Sequence, residues 1–169
     1  MKDIPEKTNA VRLLTQKKID FKTHSYGLAE DGAVSGVEVA AILNQNVDDV
    51  FKTLVTVGKS GEHYVFVVPV AKELDLKKAA KAVGEKSIDM VKSKELLPLT
   101  GYIHGGCSPV GMKKFFRTVF DSTAENRDRI FFSGGRIGLQ IETTLAELRK
   151  VIRVETADIT ISNSAESGV

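Results

Sequence analysis

Lys52-Thr53-Leu54-Val55-Thr56-Val57, then Gly58-Lys59-Ser60-Gly61-Glu62, then Tyr64-Val65-Phe66-Val67-Val68-Pro69 is the stretch that decides the fold. β-Branched and aromatic residues dominate both apolar runs, and glycine and serine supply turn chemistry between them. The reading is a β-hairpin whose loop is longer than two residues. The second run has no polar alternation, so its strand is expected to be covered on both faces. A hairpin alone cannot provide that cover, so the flanking segments must.

Working outward, periodic segments lie on both sides. Val11, Leu14 and Lys18, with Ala10 and Leu13 beside them, follow helical spacing from Thr8, and Phe21 to Tyr26 reads as a short strand. Ser35-Gly36-Val37-Glu38 has capping-box spacing, which predicts a helix to about Leu43. Beyond the hairpin, Asp75 is placed to cap a helix through Val83, with Gly84 at its left-handed end. Ser93 opens a short helix that Pro98 is expected to stop. After the glycine-rich run 101–111, Phe115 to Phe120 reads as a strand and Ser122-Thr123-Ala124-Glu125 as another capping box. Ile130 to Ser133, the turn Gly134-Gly135 and Gly138 to Glu142 form a second strand–turn–strand unit. A helix from Thr144 and a closing strand Val151–Val154 follow. Strands and helices interleave without strict alternation. The expected class is therefore mixed α/β, a curved mixed sheet with helices around it and not a doubly wound parallel sheet.

The chain has 169 residues, 42% hydrophobic and 27% charged, which suits one folded domain and argues against wholesale disorder. No composition break marks a linker, so residues 1–160 read as a single domain and 161–169 as a mobile tail. The formal net charge of +2 excludes a uniformly basic nucleic-acid coat. A single cysteine, Cys107, excludes an intrachain disulfide and a cysteine-cluster zinc site, and no metal or other cofactor is expected. The start, Met1-Lys2-Asp3-Ile4-Pro5-Glu6-Lys7, lacks an apolar leader, and the run Tyr64 to Ala71 is too short to span a bilayer. The expectation is a cytoplasmic protein with no membrane partner.

The loop Gly105-Gly106-Cys107-Ser108-Pro109 is the most unusual local feature. Glycines let backbone N–H groups approach an oxyanion or phosphate closely. They equally suit a sharp connection between two elements. The Gly-Lys-Ser/Thr ending of a P-loop is missing. Lys52, where Phe51 hands over to the first strand, is suited to holding a phosphate or carbonyl oxygen, or simply reaches into water. Cys107 with His104 three residues earlier suggests a thiol nucleophile, yet no fixed spacing supports the pair. Ser133-Gly134-Gly135 either lines a pocket or makes a tight turn. Lysines and arginines such as Arg12, Lys77, Lys113 and Arg117 are scattered helix and loop charges, weak evidence for RNA.

Taken together, Phe51-Lys52-Thr53-Leu54, Leu74-Asp75-Leu76-Lys77-Lys78, Gly101-Tyr102-Ile103-His104-Gly105-Gly106-Cys107-Ser108-Pro109-Val110-Gly111-Met112-Lys113-Lys114 and Ser133-Gly134-Gly135-Arg136-Ile137-Gly138-Leu139 resemble the YbaK/EbsC-type Cys-tRNA(Pro) deacylases. That group is related to the editing domain of bacterial prolyl-tRNA synthetase. The resemblance covers roughly Thr8 to Asp158. It implies a YbaK-like, barrel-like core and hydrolysis of a mischarged aminoacyl-tRNA. It maps the family's lysine onto Lys52 and its catalytic loop backbone onto Gly105, with Gly106 and Pro109 beside it. Tyr26, Thr53, Ser133, Gly134 and Gly135 match its pocket. Ser35 stands where a phenylalanine can occur, and Gln140 where an aspartate can. The resemblance further implies cleavage assisted by the substrate's own thiol, the 3′ end of aminoacyl-tRNA as ligand and prolyl-tRNA synthetase as partner. An Ala-tRNA(Pro) deacylase using a bound water, or a non-catalytic module that binds tRNA or a synthetase, are the competing readings.

Overall fold

The computed structural model describes residues 7–27 and 35–162, and the expectations for the chain start and for residues 163–169 lie outside them. Five helices and eight strands are present there: α1 Asn9–Gln16, β1 Lys22–Ser25, α2 Gly36–Ile42, β2 Phe51–Gly58, β3 His63–Pro69, α3 Leu76–Val83, β4 Ile88–Met90, α4 Ser93–Thr100, β5 Arg117–Asp121, β6 Ile130–Ser133, β7 Leu139–Thr143, α5 Leu145–Leu148 and β8 Glu155–Ala157. The hairpin forms as read, with Lys52 opposite Val68 and Thr56 opposite Tyr64.

The strands make two sheets, and neither closes into a barrel. A five-stranded mixed sheet runs β4-β2-β3-β5-β8, with parallel pairing of β3–β5 and β5–β8, and a three-stranded antiparallel sheet runs β1-β7-β6. Side-chain alternation along β2 and β3 explains the layers. Phe51, Val55, Val65 and Val67 face one way, into a core shared with Phe132 and Ile141 of the small sheet. Tyr64, Phe66 and Val68 face the other way, onto Ala79, Ala80 and Val83 of α3. The uninterrupted apolar run of β3 is thus covered on both faces.

Local chemistry sets the ends of the elements. The Thr8 hydroxyl accepts the Val11 N–H at 3.1 Å and starts α1. Ser35 and Glu38 complete the reciprocal capping box of α2. Asp75 accepts from the N–H groups of Lys77 and Lys78 to open α3, and Gly84, at φ 77°, closes it.

Three expectations are corrected. Pro98 does not stop α4: it sits near the end of an eight-residue helix, where it removes a single ladder bond, and the Gly101 N–H to Leu97 carbonyl bond of 2.8 Å closes the last turn. Buried Asp121, not Ser122, caps the following turn, and only a 3-10 turn, Ser122–Asn126, forms. The segment 151–154 is held as a turn by bonds from Val151 and Ile152 back to Leu148, so the closing strand begins at Glu155.

Candidate active site

β4 is short, and that shortness creates the site. Its ladder with β2 covers Thr56 to Gly58, and one further bond, Val91 N–H to the Val55 carbonyl at 3.1 Å, extends it. With Val50 bridged to Phe131 of β6 at the start of the strand, Lys52 to Leu54 are an open edge among the described residues. A cavity of about 300 Å³ lies against this edge and is lined by residues of both faces of β2, Lys52 and Leu54 from one, Phe51, Thr53 and Val55 from the other. The opposite walls are Val39 in the middle of α2, Leu96 of α4, and Phe132, Ser133, Leu139 and Gln140 of the small sheet.

Lys52 Nζ is 3.4 Å from Glu73 Oε2, and the Glu73 side chain is 75% exposed. Such an ion pair holds the ammonium weakly. Next to it, the Thr53 hydroxyl is buried and has no hydrogen-bond partner among the described residues. A buried hydroxyl left unpaired costs about 1–3 kcal/mol, a deficit that a polar atom of a ligand in this cavity removes. Backbone groups alternate along a strand, so the N–H and C=O of Thr53 point to the same side as the Val55 carbonyl that meets Val91, and there they face the open edge.

The glycine-rich loop divides. His104, Gly105 and Cys107 line the cavity. Gly105 adopts φ 85° on an exposed turn closed by the Gly106 N–H to Ile103 carbonyl bond of 2.9 Å, so the Gly106 N–H is already used. Gly106 and Pro109 are absent from the cavity wall, and Pro109 borders a second hollow beside Met112, Phe115 and Phe116. Burial pushes the Cys107 thiol up to about 12, against a weaker opposing hydrogen bond with Thr100. A thiol so protonated is a poor nucleophile at neutral pH. Among the described residues no serine or cysteine is hydrogen-bonded to a histidine; the histidine bond present there joins His24 to Glu142.

The remaining sequence candidates separate in the same manner. Tyr26, Ser35, Ser133 and Gln140 line the cavity, whereas Gly134 and Gly135 lie behind it. A Cβ on Gly134 would sit 2.6 Å from Leu139 Cγ, and one on Gly135 2.9 Å from Thr8 Cβ. These two glycines let the β6–β7 turn pack. The Ser133 hydroxyl accepts the Gly135 N–H at 3.1 Å, and the Ser35 hydroxyl accepts the Glu38 N–H at 3.2 Å. Gln140 is buried and its amide pairs reciprocally with that of Gln45 in two bonds of 2.7 and 2.9 Å. Gln45, Lys92, Ser93 and Leu96 escaped the sequence reading. The Ser93 helix start was the available signal for the last three, and the Gln45–Gln140 pair, 95 residues apart, left none.

The cavity thus carries a lysine and a buried hydroxyl without a partner and, among the described residues, no hydrogen-bonded nucleophile–base pair. Residues 30–151 match the aminoacyl-tRNA editing domain, and the chain belongs to that family. It is 42% identical over 159 residues to an Enterococcus faecalis protein that carries the provisional description Cys-tRNA(Pro)/Cys-tRNA(Cys) deacylase EbsC, with 94% of this chain and 96% of that one covered. A solved structure provisionally described as a trans-editing enzyme for prolyl-tRNA synthetase superposes with a TM-score of 0.81 at 25% identity, over 95% of this chain and 100% of the other. The hypothetical protein APE2540, at 22% identity and a TM-score of 0.81 over 90% of this chain and 99% of the other, shares the fold.

Proposed function

We propose that the protein is a trans-editing hydrolase that deacylates Cys-tRNA(Pro), with the substrate's thiol as the attacking group. The observation that carries this reading is the cavity itself. It holds Lys52, Thr53 and Gly105 together, and its one thiol, Cys107, is pushed up to about 12. An aminoacyl ester is already activated, so the chemistry does not require a protein nucleophile. The cysteinyl sulfur attacks its own ester carbonyl carbon, a C–S bond forms, the C–O bond to the ribose breaks and the ribose hydroxyl leaves with the proton. Water then opens the four-membered thiolactone. Confinement of thiol and carbonyl in a small cavity supplies effective molarities of about 10⁵–10⁸ M. In this reading the Gly105 backbone stabilises the oxyanion, at roughly 3 kcal/mol for a well-placed donor. Lys52 holds the terminal nucleotide, Thr53 hydrogen-bonds the ester end, and Tyr26, Ser35, Ser133 and Gln140 shape the aminoacyl pocket.

A net charge of +2 gives little general affinity for tRNA, which favours a protein partner, prolyl-tRNA synthetase, as the source of tRNA identity. A translation role favours a cytoplasmic location. No described helix is long and apolar enough to cross a membrane.

The test is a deacylation panel on tRNA(Pro) charged with cysteine, S-methylcysteine, alanine and proline. Rapid cleavage of the cysteinyl ester alone is expected. Equal rates on alanyl and cysteinyl esters would replace the substrate thiol by a bound water, and a panel that stays charged would leave a binding module. Lys52→Ala is expected to slow cleavage at least about 100-fold, whereas Cys107→Ser retains most of it.

A further inference from the structure

We infer that Lys92, beside Lys52, forms a subsite for the phosphodiester that joins the terminal nucleotide of the substrate to the one before it; this inference rests on the deacylase reading above. The pairing Thr56↔Met90, carried one residue on by the Val91 N–H to Val55 carbonyl bond, places Lys92 opposite Leu54. Lys52 is two residues from Leu54 on the same face of β2. Lys52 stands on the open edge of β2 and Lys92 at the cap of α4, where the chain leaves β4. Both line the cavity.

Like charges facing one cavity repel, and the described wall of the cavity contains no carboxylate to offset them. Among the described residues Lys92 has no ion pair. The nearest acid in sequence on its own helix, Glu95, spends Oε1 on the Lys92 backbone N–H at 3.0 Å. Among the described residues Lys52 pairs only with the exposed Glu73. An anion between the two ammonium groups removes the repulsion and displaces Glu73 at little cost. A phosphodiester fits that description, since lysine is a point-charge phosphate binder. The wall carried by α2 and the small sheet holds no charge, combining apolar Val39, Phe132 and Leu139 with Ser133 and Gln140, and suits the aminoacyl group. The polarity of the cavity thus orients the substrate. The amino acid points toward the small sheet, and the polynucleotide leaves over the start of α4, where Lys92 stands.

The experiment compares cysteinyl-tRNA(Pro) with 3′-O-cysteinyl-adenosine, which lacks the phosphate, in wild type and variants of matched melting temperature. Lys92→Ala is expected to raise KM for the charged tRNA about 5- to 20-fold, the worth of one charge-assisted contact, with kcat within about twofold. The slope of log KM against log salt should shrink by about 0.7 for the lost phosphate contact. Lys92→Arg should restore both. On the nucleoside the penalty should vanish, because the group that Lys92 meets is missing. The inference is overturned by an equal loss on both substrates, by no loss on either, or by a matching loss in Lys94→Ala, whose residue does not line the cavity. Wild-type protein that cleaves neither substrate overturns the deacylase reading, and this subsite with it.

Discussion

The two halves of the loop between α4 and β5 share a glycine-rich composition and do opposite work. In the first half, His104 and Gly105 are exposed at the cavity, and a Cβ on Gly105 would meet Ile137 at an ordinary 3.5 Å. In the second half, Ser108, Pro109 and Val110 are buried, and the Tyr102 hydroxyl donates to the Val110 carbonyl at 2.6 Å. A Cβ on Gly111 would lie 2.7 Å from the Asn9 carbonyl carbon and 2.8 Å from the Ala10 nitrogen. Glycine at 105 serves a backbone conformation next to a ligand. At 111 it serves the close approach of α1. One composition therefore carries two requirements, and only neighbours distant in sequence tell them apart.

Substitution separates the halves most sharply at Gly111. Gly111→Ala forces backbone apart and adds strain at φ 78°, so a loss of about 3 kcal/mol is expected. At this chain length that lowers the melting temperature by roughly 6–12 °C, readable by calorimetry, while the folded fraction keeps its deacylation rate in the cold. Gly105→Ala should behave in reverse. The left-handed conformation costs alanine about 1–2 kcal/mol, a shift of only a few degrees, but single-turnover deacylation should fall about 10- to 100-fold. Should both variants lose stability alike, the division of the loop is wrong.

Cys107, at the junction, sharpens the comparison through pH. Its folded thiol titrates at about 12 against an ordinary 9.0. The unfolded chain therefore loses its proton first, and the stability tied to the neutral thiol declines as pH rises from about 9 toward 12. In the native protein at pH 8, alkylation by iodoacetamide should be at least about 100-fold slower than in the unfolded chain; a fast reaction would place Cys107 with the exposed half. The smallest effect is expected far from the loop, at Glu142. Burial opposes its ionisation, but hydrogen bonds from His24 and Arg129, with the guanidinium charge, outweigh it and hold the carboxyl below its usual value. Its contribution is full above about pH 4.5 and is lost as pH falls through the folded value. Glu142→Gln should flatten the acid limb of the stability profile by about 1 kcal/mol.

Much of the architecture was legible because its causes are local. The hairpin, the Ser35–Glu38 box and the Asp75 cap each depend on residues within a few positions, and all three form where the pattern placed them. Two failures, at Pro98 and at residues 151–154, were local, and the third came where a distant partner decided the outcome. Asp121 outcompetes Ser122 as a cap because the Ile159 N–H, 38 residues on, also fixes its carboxylate at 3.1 Å. The division of the candidate site followed the same rule. Lys52 and Gly105 stand out by motif, but that Gly134 and Gly135 serve packing follows from Thr8 and Leu139. Lys92 gains meaning only through the register of β4 on β2.

The brevity of β4 has a consequence beyond catalysis. An uncovered β2 margin offers unpaired backbone groups to any extended peptide, a common route to sheet-to-sheet aggregation. Lys52 and Lys92 stand at that margin as a charged guard. A protein stripped of both would be expected to become sticky as well as slow, so its solubility and its chemistry share one pair of ammonium groups.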